Sequence, residues 1–250
     1  MSTKYPLEDE FGDIIKKARL GSGLSVTDVA RKTGVDEERL QRMEAYEIRP
    51  EPAQVAALAK VLNLSQAKLQ AVANEQYVPD PVATTFGKLE VHVLVGQPGE
   101  ANCYVLADHA KGQTALIDPG VETQRIQKVL DEVGYPLAAI LLTHDHGDHT
   151  KSLDQFADRV QDTPLDYTTI ATPGHSKDSQ TYYFGDCAFV GDLLFAGSVG
   201  RALPETGWYS THLDSVRKIL VLPDSTVLFP GHGPATTVES ERQNNPFIQD

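Results

Sequence analysis

The chain has 250 residues, 40% hydrophobic and 23% charged, a globular composition with room for one or two cored domains. No apolar run approaches the ~18 residues that span a bilayer, and MSTKYPLEDEFGD lacks the basic-then-apolar order of a secretory leader. A cytoplasmic protein without membrane association is expected, and the two isolated cysteines, Cys103 and Cys187, point to neither a disulfide framework nor a thiolate zinc knuckle.

The net charge of −13 is unevenly spread: residues 1–75 carry 11 Lys/Arg against 12 Asp/Glu, residues 76–250 carry 11 against 23. The second part therefore repels polyanions, whereas the first is neutral toward them. Phe11, Ile14, Ile15 and Ala18 fall on one face of a first helix, which Gly21 and Gly23 stop. Ser25 with Asp28 makes a capping box that opens a second helix, ending at Gly34. A third helix runs from about Asp36 to Tyr46 before Pro50 and Pro52. Val55, Leu58, Ala59 and Leu62 mark a fourth, and Ser65 to Ala73 a fifth.

Residues 74–88 have two prolines and no apolar face, so the linker falls there. Leu89, Val91, Val93 and Val95 then alternate as a half-buried strand, followed by strands at ANCYVLA and TALID. Ile126, Val129, Leu130 and Val133 form a helix closed by Gly134, and the strand AAILLT leads into a histidine-rich loop. Strands alternating with helices after a β-rich start predict a layered α/β domain. The boundaries are 1–75 for the helical domain, 76–88 for the linker and 89–250 for the α/β domain.

THDHGDHT, Thr143–Thr150, packs His144, His146, Asp148 and His149 into six residues at the end of an apolar strand. Three more ligand-type residues lie in glycine-marked loops: His175 in TPGHS, Asp192 in FVGDLLF and His232 in FPGHG. Imidazoles and carboxylates without thiolate suit zinc, iron or manganese, and seven such residues are enough for two adjacent ions. Packing needs alone do not produce this density. His92, His109 and His212 lack such a context and read as ordinary surface or strand residues.

The run His-x-His-x-Asp-His, the later PGH, GD before LLF and the last GHG resemble the metallo-β-lactamase superfamily from about Leu89 onward. The resemblance implies an αββα sandwich, here preceded by a small all-α domain. It also implies one metal on His144, His146 and His175, another on Asp148, His149 and His232, and Asp192 bridging both. Zinc is the first expectation for the two divalent ions, with iron or manganese as alternatives. More narrowly, LIDPG, GDLLFAGSVGR and PGHGPATTVESERQNNPF resemble the glyoxalase-II-like branch. That implies hydrolysis of a small-molecule thioester by a metal-bound hydroxide, with no protein nucleophile. Cys103 and Cys187 then read as buried packing residues, and Asp118 as a support behind the ligands.

The 26 positions from His149 to His175 are fewer than usual in that branch, which predicts an open pocket or one completed by the other domain or a second subunit. GHSKDS in place of GHTPGS puts Lys177 near the metal rim. Only 18 residues follow His232, too few for the domain that grips glutathione in glyoxalase II, which puts hydroxyacylglutathione as the natural substrate in doubt within a hydroxyacylglutathione-hydrolase-like expectation. Persulfide dioxygenases share the scaffold, and that alternative would place a single iron on His144, His175 and Asp192.

LSVTDVARKTGVDEERLQRME and the later P-x-x-x-x-A-L-A pattern resemble the Cro/phage-repressor helix-turn-helix family over about Phe11–Ala73. The resemblance makes the helix from Asp36 the recognition helix, offering Arg39, Gln41 and Arg42 to DNA. Val26 stands where that family usually has a phosphate-contacting glutamine, and Asp36, Glu37 and Glu38 crowd the leading end of the helix. Two roles stay open for this domain: DNA binding by a regulator whose hydrolase part senses a ligand, or pocket covering and dimerisation of an enzyme.

Overall fold

The computed structural model describes residues 6–202 and 208–249. Residues 1–5, at the start of the span assigned to the helical domain, and Asp250, at the end of the α/β span, lie outside it. Five helices come first: α1 (Phe11–Gly21), α2 (Val26–Thr33), α3 (Glu37–Glu44), α4 (Pro52–Leu62) and α5 (Gln66–Ala73). The Ser25–Asp28 capping box forms in both directions, with Asp28 N–H donating to Ser25 Oγ at 3.0 Å and Ser25 N–H to Asp28 Oδ2 at 3.1 Å. Gly34 ends α2 in the left-handed region, at φ 74°, which a glycine enters without steric cost.

The α/β part contains β1 (Thr85–Phe86), β2 (Leu89–Leu94), β3 (Cys103–Asp108), β4 (Gln113–Ile117), α6 (Thr123–Val133) and β5 (Leu137–Leu141). Two short helices, α7 (Gly147–Thr150) and α8 (Asp154–Ala157), precede β6 (Thr168–Ala171), β7 (Gln180–Tyr183), β8 (Cys187–Gly191), β9 (Leu194–Phe195) and β10 (Ser198–Val199). The chain ends with α9 (Trp208–Ile219), β11 (Val227–Pro230), β12 (Thr236–Thr237) and α10 (Val238–Asn244). One five-stranded sheet has the order β1-β2-β3-β4-β5, the other β12-β11-β8-β7-β6. Only β4–β5 and β8–β11 pair in parallel among the described strands. Strand β1 lies inside the stretch read as linker and pairs with β2: two residues carry too little alternation to be seen in sequence.

The period of two along each strand sorts the side chains into layers. Tyr104 and Leu106 of β3 meet Cys187 and Phe189 of β8 and Val227 and Phe229 of β11 between the sheets. Cys103 and Val105 face the other way, onto Ile126 and Leu130 of α6 and Phe156 of α8. Ala188, Val190 and Leu228 face outward from the second sheet onto Val216 and Ile219 of α9 and Val238 of α10. The result is an αββα sandwich.

That last layer does not stop at α9 and α10. It runs on through Leu193, Val199 and Phe247 into Ile14, Ile15, Leu58, Leu62 and Leu69 of the helical domain as one buried apolar cluster. Polar contacts fix the join: Ser65 N–H donates to the Pro246 carbonyl at 2.7 Å, and Lys68 Nζ to the Arg242 and Ile248 carbonyls at 2.7 and 2.8 Å. Deleting residues 1–75 should therefore lower the thermal midpoint of the remainder by about 10 °C or more. Scanning calorimetry of the full and shortened chains checks this. None of the described helices is long and apolar enough to cross a membrane.

Candidate metal centre

The two sheets deliver their loops to one end of the sandwich. After β4 the chain turns at Asp118, which adopts φ 46° and is buried. Its carboxylate accepts from Thr143 N–H at 2.7 Å, from Thr143 Oγ1 at 2.7 Å and from His149 Nδ1 at 2.9 Å. One side chain thus ties the end of β4 to both ends of the histidine loop after β5. His149 sits on α7 with Asp148, while His175 lies in the loop between β6 and β7. Asp192 directly follows β8 and His232 follows β11, the two parallel neighbours of the second sheet.

Seven ligand-type side chains converge there in three overlapping groups: His144, His146 and His175; His144, His149 and Asp192; Asp148, His149 and His232. Within each group the ligand atoms lie within 4.8 Å of one another. His146 Nδ1 is 3.0 Å from His144 Nε2 and 3.1 Å from His175 Nε2. Asp192 Oδ1 is 3.3 Å from His149 Nε2, and Oδ2 is 3.5 Å from His175 Nε2 and 3.7 Å from His232 Nε2. Asp148 Oδ2 completes the far side at 3.3 Å from His232 Nε2. Gly231 is required by closeness: a Cβ there would lie 2.2 Å from Asp192 Oδ1 and 2.7 Å from His149 Cε1.

The far side of each inner imidazole is held by an oxygen, which sets the ring and the nitrogen facing inward. Asp118 holds His149, the Arg201 carbonyl holds His175 Nδ1 at 3.0 Å, and Thr143 Oγ1 meets His144 Nδ1 at 3.1 Å. His149 Nε2 and Asp192 Oδ1 are buried and make no hydrogen bond. Lone pairs brought together this way, without donors between them, fit a divalent cation. The same groups also carry strongly interacting charges. Burial works against a charged His149, but the Asp118 and Asp192 carboxylates outweigh it and lift its pKa to about 10. Burial and the neighbouring His149 bring His144 down to about 3. Burial opposes a charged Asp192, but the close contact and charge of His149 at 3.3 Å, with His232 and His175 behind it, hold the carboxyl well below its usual range.

Among the other sequence expectations, Cys103 and Cys187 are buried in β3 and β8, their thiols pushed up by burial, Cys187 to about 12. His92 lies on β2, and exposed His109 meets Glu90 at 2.9 Å. Lys177 is exposed two positions after His175. His212 is a correction: it is neither a surface nor a strand residue but lies fully buried on α9, below the His175 loop. Ser215 on the same helix donates to the Pro173 carbonyl of that loop at 2.8 Å. No local pattern marked His212, because what buries it is a loop far away in sequence.

The proposed DNA-reading residues lie on α3, outside the ligand groups. Gln41 is exposed, while Arg39 and Arg42 are paired with Glu51 and Glu47, each at 3.1 Å. Two long-range arrangements went unread in the sequence. Glu8 and Lys17 bring the helical domain to the metal loops. Glu241, fully buried, accepts from Gly197 N–H at 3.1 Å, Thr236 Oγ1 at 2.8 Å and Asn245 Nδ2 at 2.8 Å. The TT…ER…NPF tail is thereby a clamp on the turn between β9 and β10, with Asn245 also donating to the Ser198 carbonyl at 2.7 Å.

Comparison with known proteins agrees with this geometry. The family model for the metallo-beta-lactamase superfamily matches residues 96–165, and a helix-turn-helix domain model matches residues 10–72. The "probable metallo-hydrolase YqgX" of Bacillus subtilis is 32% identical over 199 residues, spanning 60% of this chain and 93% of that protein. The "hydroxyacylglutathione hydrolase GloC" of Haemophilus influenzae is 28% identical, spanning 64% of this chain and 98% of its own length. The crystal structure of TTHA1623 in a di-iron-bound form is 28% identical with a TM-score of 0.54, spanning 63% of this chain and all of that one. The chain therefore belongs to the metallo-β-lactamase superfamily, as a metallo-hydrolase with a helix-turn-helix domain ahead of its αββα sandwich.

Proposed function

We propose that this protein is a two-metal hydrolase of small-molecule thioesters, of the glyoxalase-II type. The observation that carries the reading is the position of Asp192, whose two oxygens face both ligand groups at 3.3–3.7 Å. In this assignment His144, His146 and His175 would hold one ion, Asp148, His149 and His232 the other, and Asp192 would serve both. Two divalent ions held together this way activate water near neutral pH and polarise a carbonyl oxygen.

The chain's own contribution is orientation and access. Asp118, Thr143 and the Arg201 carbonyl fix three imidazoles before any ligand arrives. Exposed His146 marks the side open to substrate. Zinc is the metal we assign first, and the di-iron form of TTHA1623 supports iron as the alternative. The similarity to GloC over nearly its whole length supports a thioester as the substrate class. A panel of acyl thioesters, offered to the full chain loaded with zinc, iron or manganese, tests this by thiol release. Oxygen consumption on a persulfide by the iron form, with no thiol released from any thioester, would replace the hydrolase by a dioxygenase.

For the helical domain we propose a structural and pocket-covering role rather than sequence-specific DNA reading. Its apolar cluster is continuous with that of the sandwich, and the first turn of α3 presents Glu37 and Glu38 to solvent. Arg39 and Arg42 would have to leave their carboxylate partners to meet phosphate or bases. Duplex binding at physiological salt should be weaker than about 1 µM, short of the ~10⁻⁸ M or tighter of specific sites. Selection from a random duplex library checks this, and one enriched motif lost on Arg39→Ala or Arg42→Ala would contradict it.

A further inference from the structure

Relatives matched over 93% and 98% of their own length account for only 60% and 64% of this chain, which leaves the helical domain as an addition to them. The addition reaches the metal cleft itself. Gly233 directly follows His232 at φ 72°, and a Cβ there would lie 3.1 Å from the Glu8 nitrogen and 3.2 Å from the Glu8 Cβ. The segment before α1 is therefore laid on the last metal loop. Lys17 of α1 donates to the Val199 carbonyl at 2.9 Å and pairs with the buried Asp9 carboxylate. Its ammonium stands 4.7 Å over the Phe195 ring, which in turn meets the His232 ring edge-on at 5.8 Å.

The two acids of this segment differ in what they can do. Asp9 is neutralised by Lys17, whereas Glu8 is exposed. Partial desolvation raises the Glu8 carboxyl, and His232 leads the charges acting on it, followed by Asp9, Lys17 and Asp192. With its Cβ beside Gly233, the residue after His232, the Glu8 side chain stands at the edge of the ligand cluster. Among the described residues, the other exposed charges in the ligand loops, Asp145, Lys177, Asp178 and Arg201, number two of each sign and give no net preference. Glu8 tips that balance.

We propose that Glu8 is a specificity-determining residue of the cleft, delivered by the helical domain, which favours thioesters with a cationic group projecting from the mouth and disfavours anionic ones. Lys17 is the positioning residue: it ties Asp9, and with it the adjoining Glu8, to the Val199 turn. The proposal rests on the thioesterase reading for its reaction but not for its binding preference. A unit charge about 7 Å away in a half-solvated cleft changes affinity by several-fold to tenfold, in opposite directions for opposite ligands.

The test compares acetylthiocholine with S-acetyl-3-mercaptopropionate on the metal-loaded full chain, as the ratio of their kcat/KM values. Glu8→Gln should lower the cation-to-anion ratio about tenfold and Glu8→Lys about a hundredfold, in KM rather than kcat. Lys17→Met combined with Asp9→Asn, which removes the tie without leaving an unpaired charge, should shift it in the same direction, and Lys17→Arg, which keeps the charge and a donor to Val199, should leave it at the wild-type value. Calorimetric binding of thiocholine and 3-mercaptopropionate to the same proteins gives the preference independently of hydrolysis. If no protein releases thiol from either ester, the reaction assignment fails while these thiol affinities still decide the role of Glu8. A Glu8→Lys protein that retains the wild-type ratio of thiol affinities overturns the proposal.

Discussion

Asp192→Ala should strip both ions from the cleft and lower turnover by roughly a thousandfold or more, about 4 kcal/mol in activation free energy. The reason lies in how many partners one carboxylate serves. Asp192 faces His149 with one oxygen and both His175 and His232 with the other. Removing it takes a negative ligand from both groups at once and leaves imidazoles from both sides facing one another. His232→Ala touches one group only and should spare occupancy in the group of His144, His146 and His175. Asp192→Asn keeps the shape and removes the charge, so it should behave like the alanine in metal content. The measurement is metal content with turnover on the same samples. Near-normal values for Asp192→Ala would show that this residue does not bridge.

Glu241→Ala should cost about 3 kcal/mol or more of folding stability, without contact with the metal centre. Its two oxygens receive the Gly197 N–H, the Thr236 hydroxyl and the Asn245 amide in a fully buried position. Truncation leaves the Gly197 donor buried without a partner, because nothing else replaces the carboxylate there. Burial also raises the Glu241 pKa from 4.5 to about 7, against the hydrogen bonds that lower it. The sign of the pH effect follows. Between about pH 4.5 and 7 the folded chain keeps a proton that the unfolded chain has released, so this group's contribution falls as pH rises through that window. The full span amounts to about 3 kcal/mol. Denaturant titrations from pH 5 to 8 should show this fall in the wild type and its removal in Glu241→Gln. Parallel slopes for the two proteins would contradict the account.

Much of the sandwich was legible because its signals are local. Alternation of Cys103, Tyr104, Val105 and Leu106 across two faces follows from strand geometry, and the structure sends those residues to two different cores. Ser25 and Asp28 marked a helix start that the backbone then realises. The ligand-type residues stood out because four of them fall within Thr143–Thr150 and the others sit beside glycines at strand ends. Residues whose partners are far away gave no such sign. Lys17 bonds to a carbonyl 182 positions on, and Glu8 meets Gly233. His212 looks ordinary on its helix until the His175 loop closes over it. Glu241 was noticed as part of a tail pattern, but its work as a clamp needs Gly197 from another hairpin.

The paired ligand groups sharing Asp192 are the centre of the account, and metal stoichiometry tests them most directly. The full chain, loaded separately with zinc, iron or manganese and freed of loose ions, should hold close to two equivalents per chain by elemental analysis. Asp192→Ala should fall well below one. A wild-type plateau at one equivalent, unchanged by excess metal and by His232→Ala, would contradict the two-metal centre.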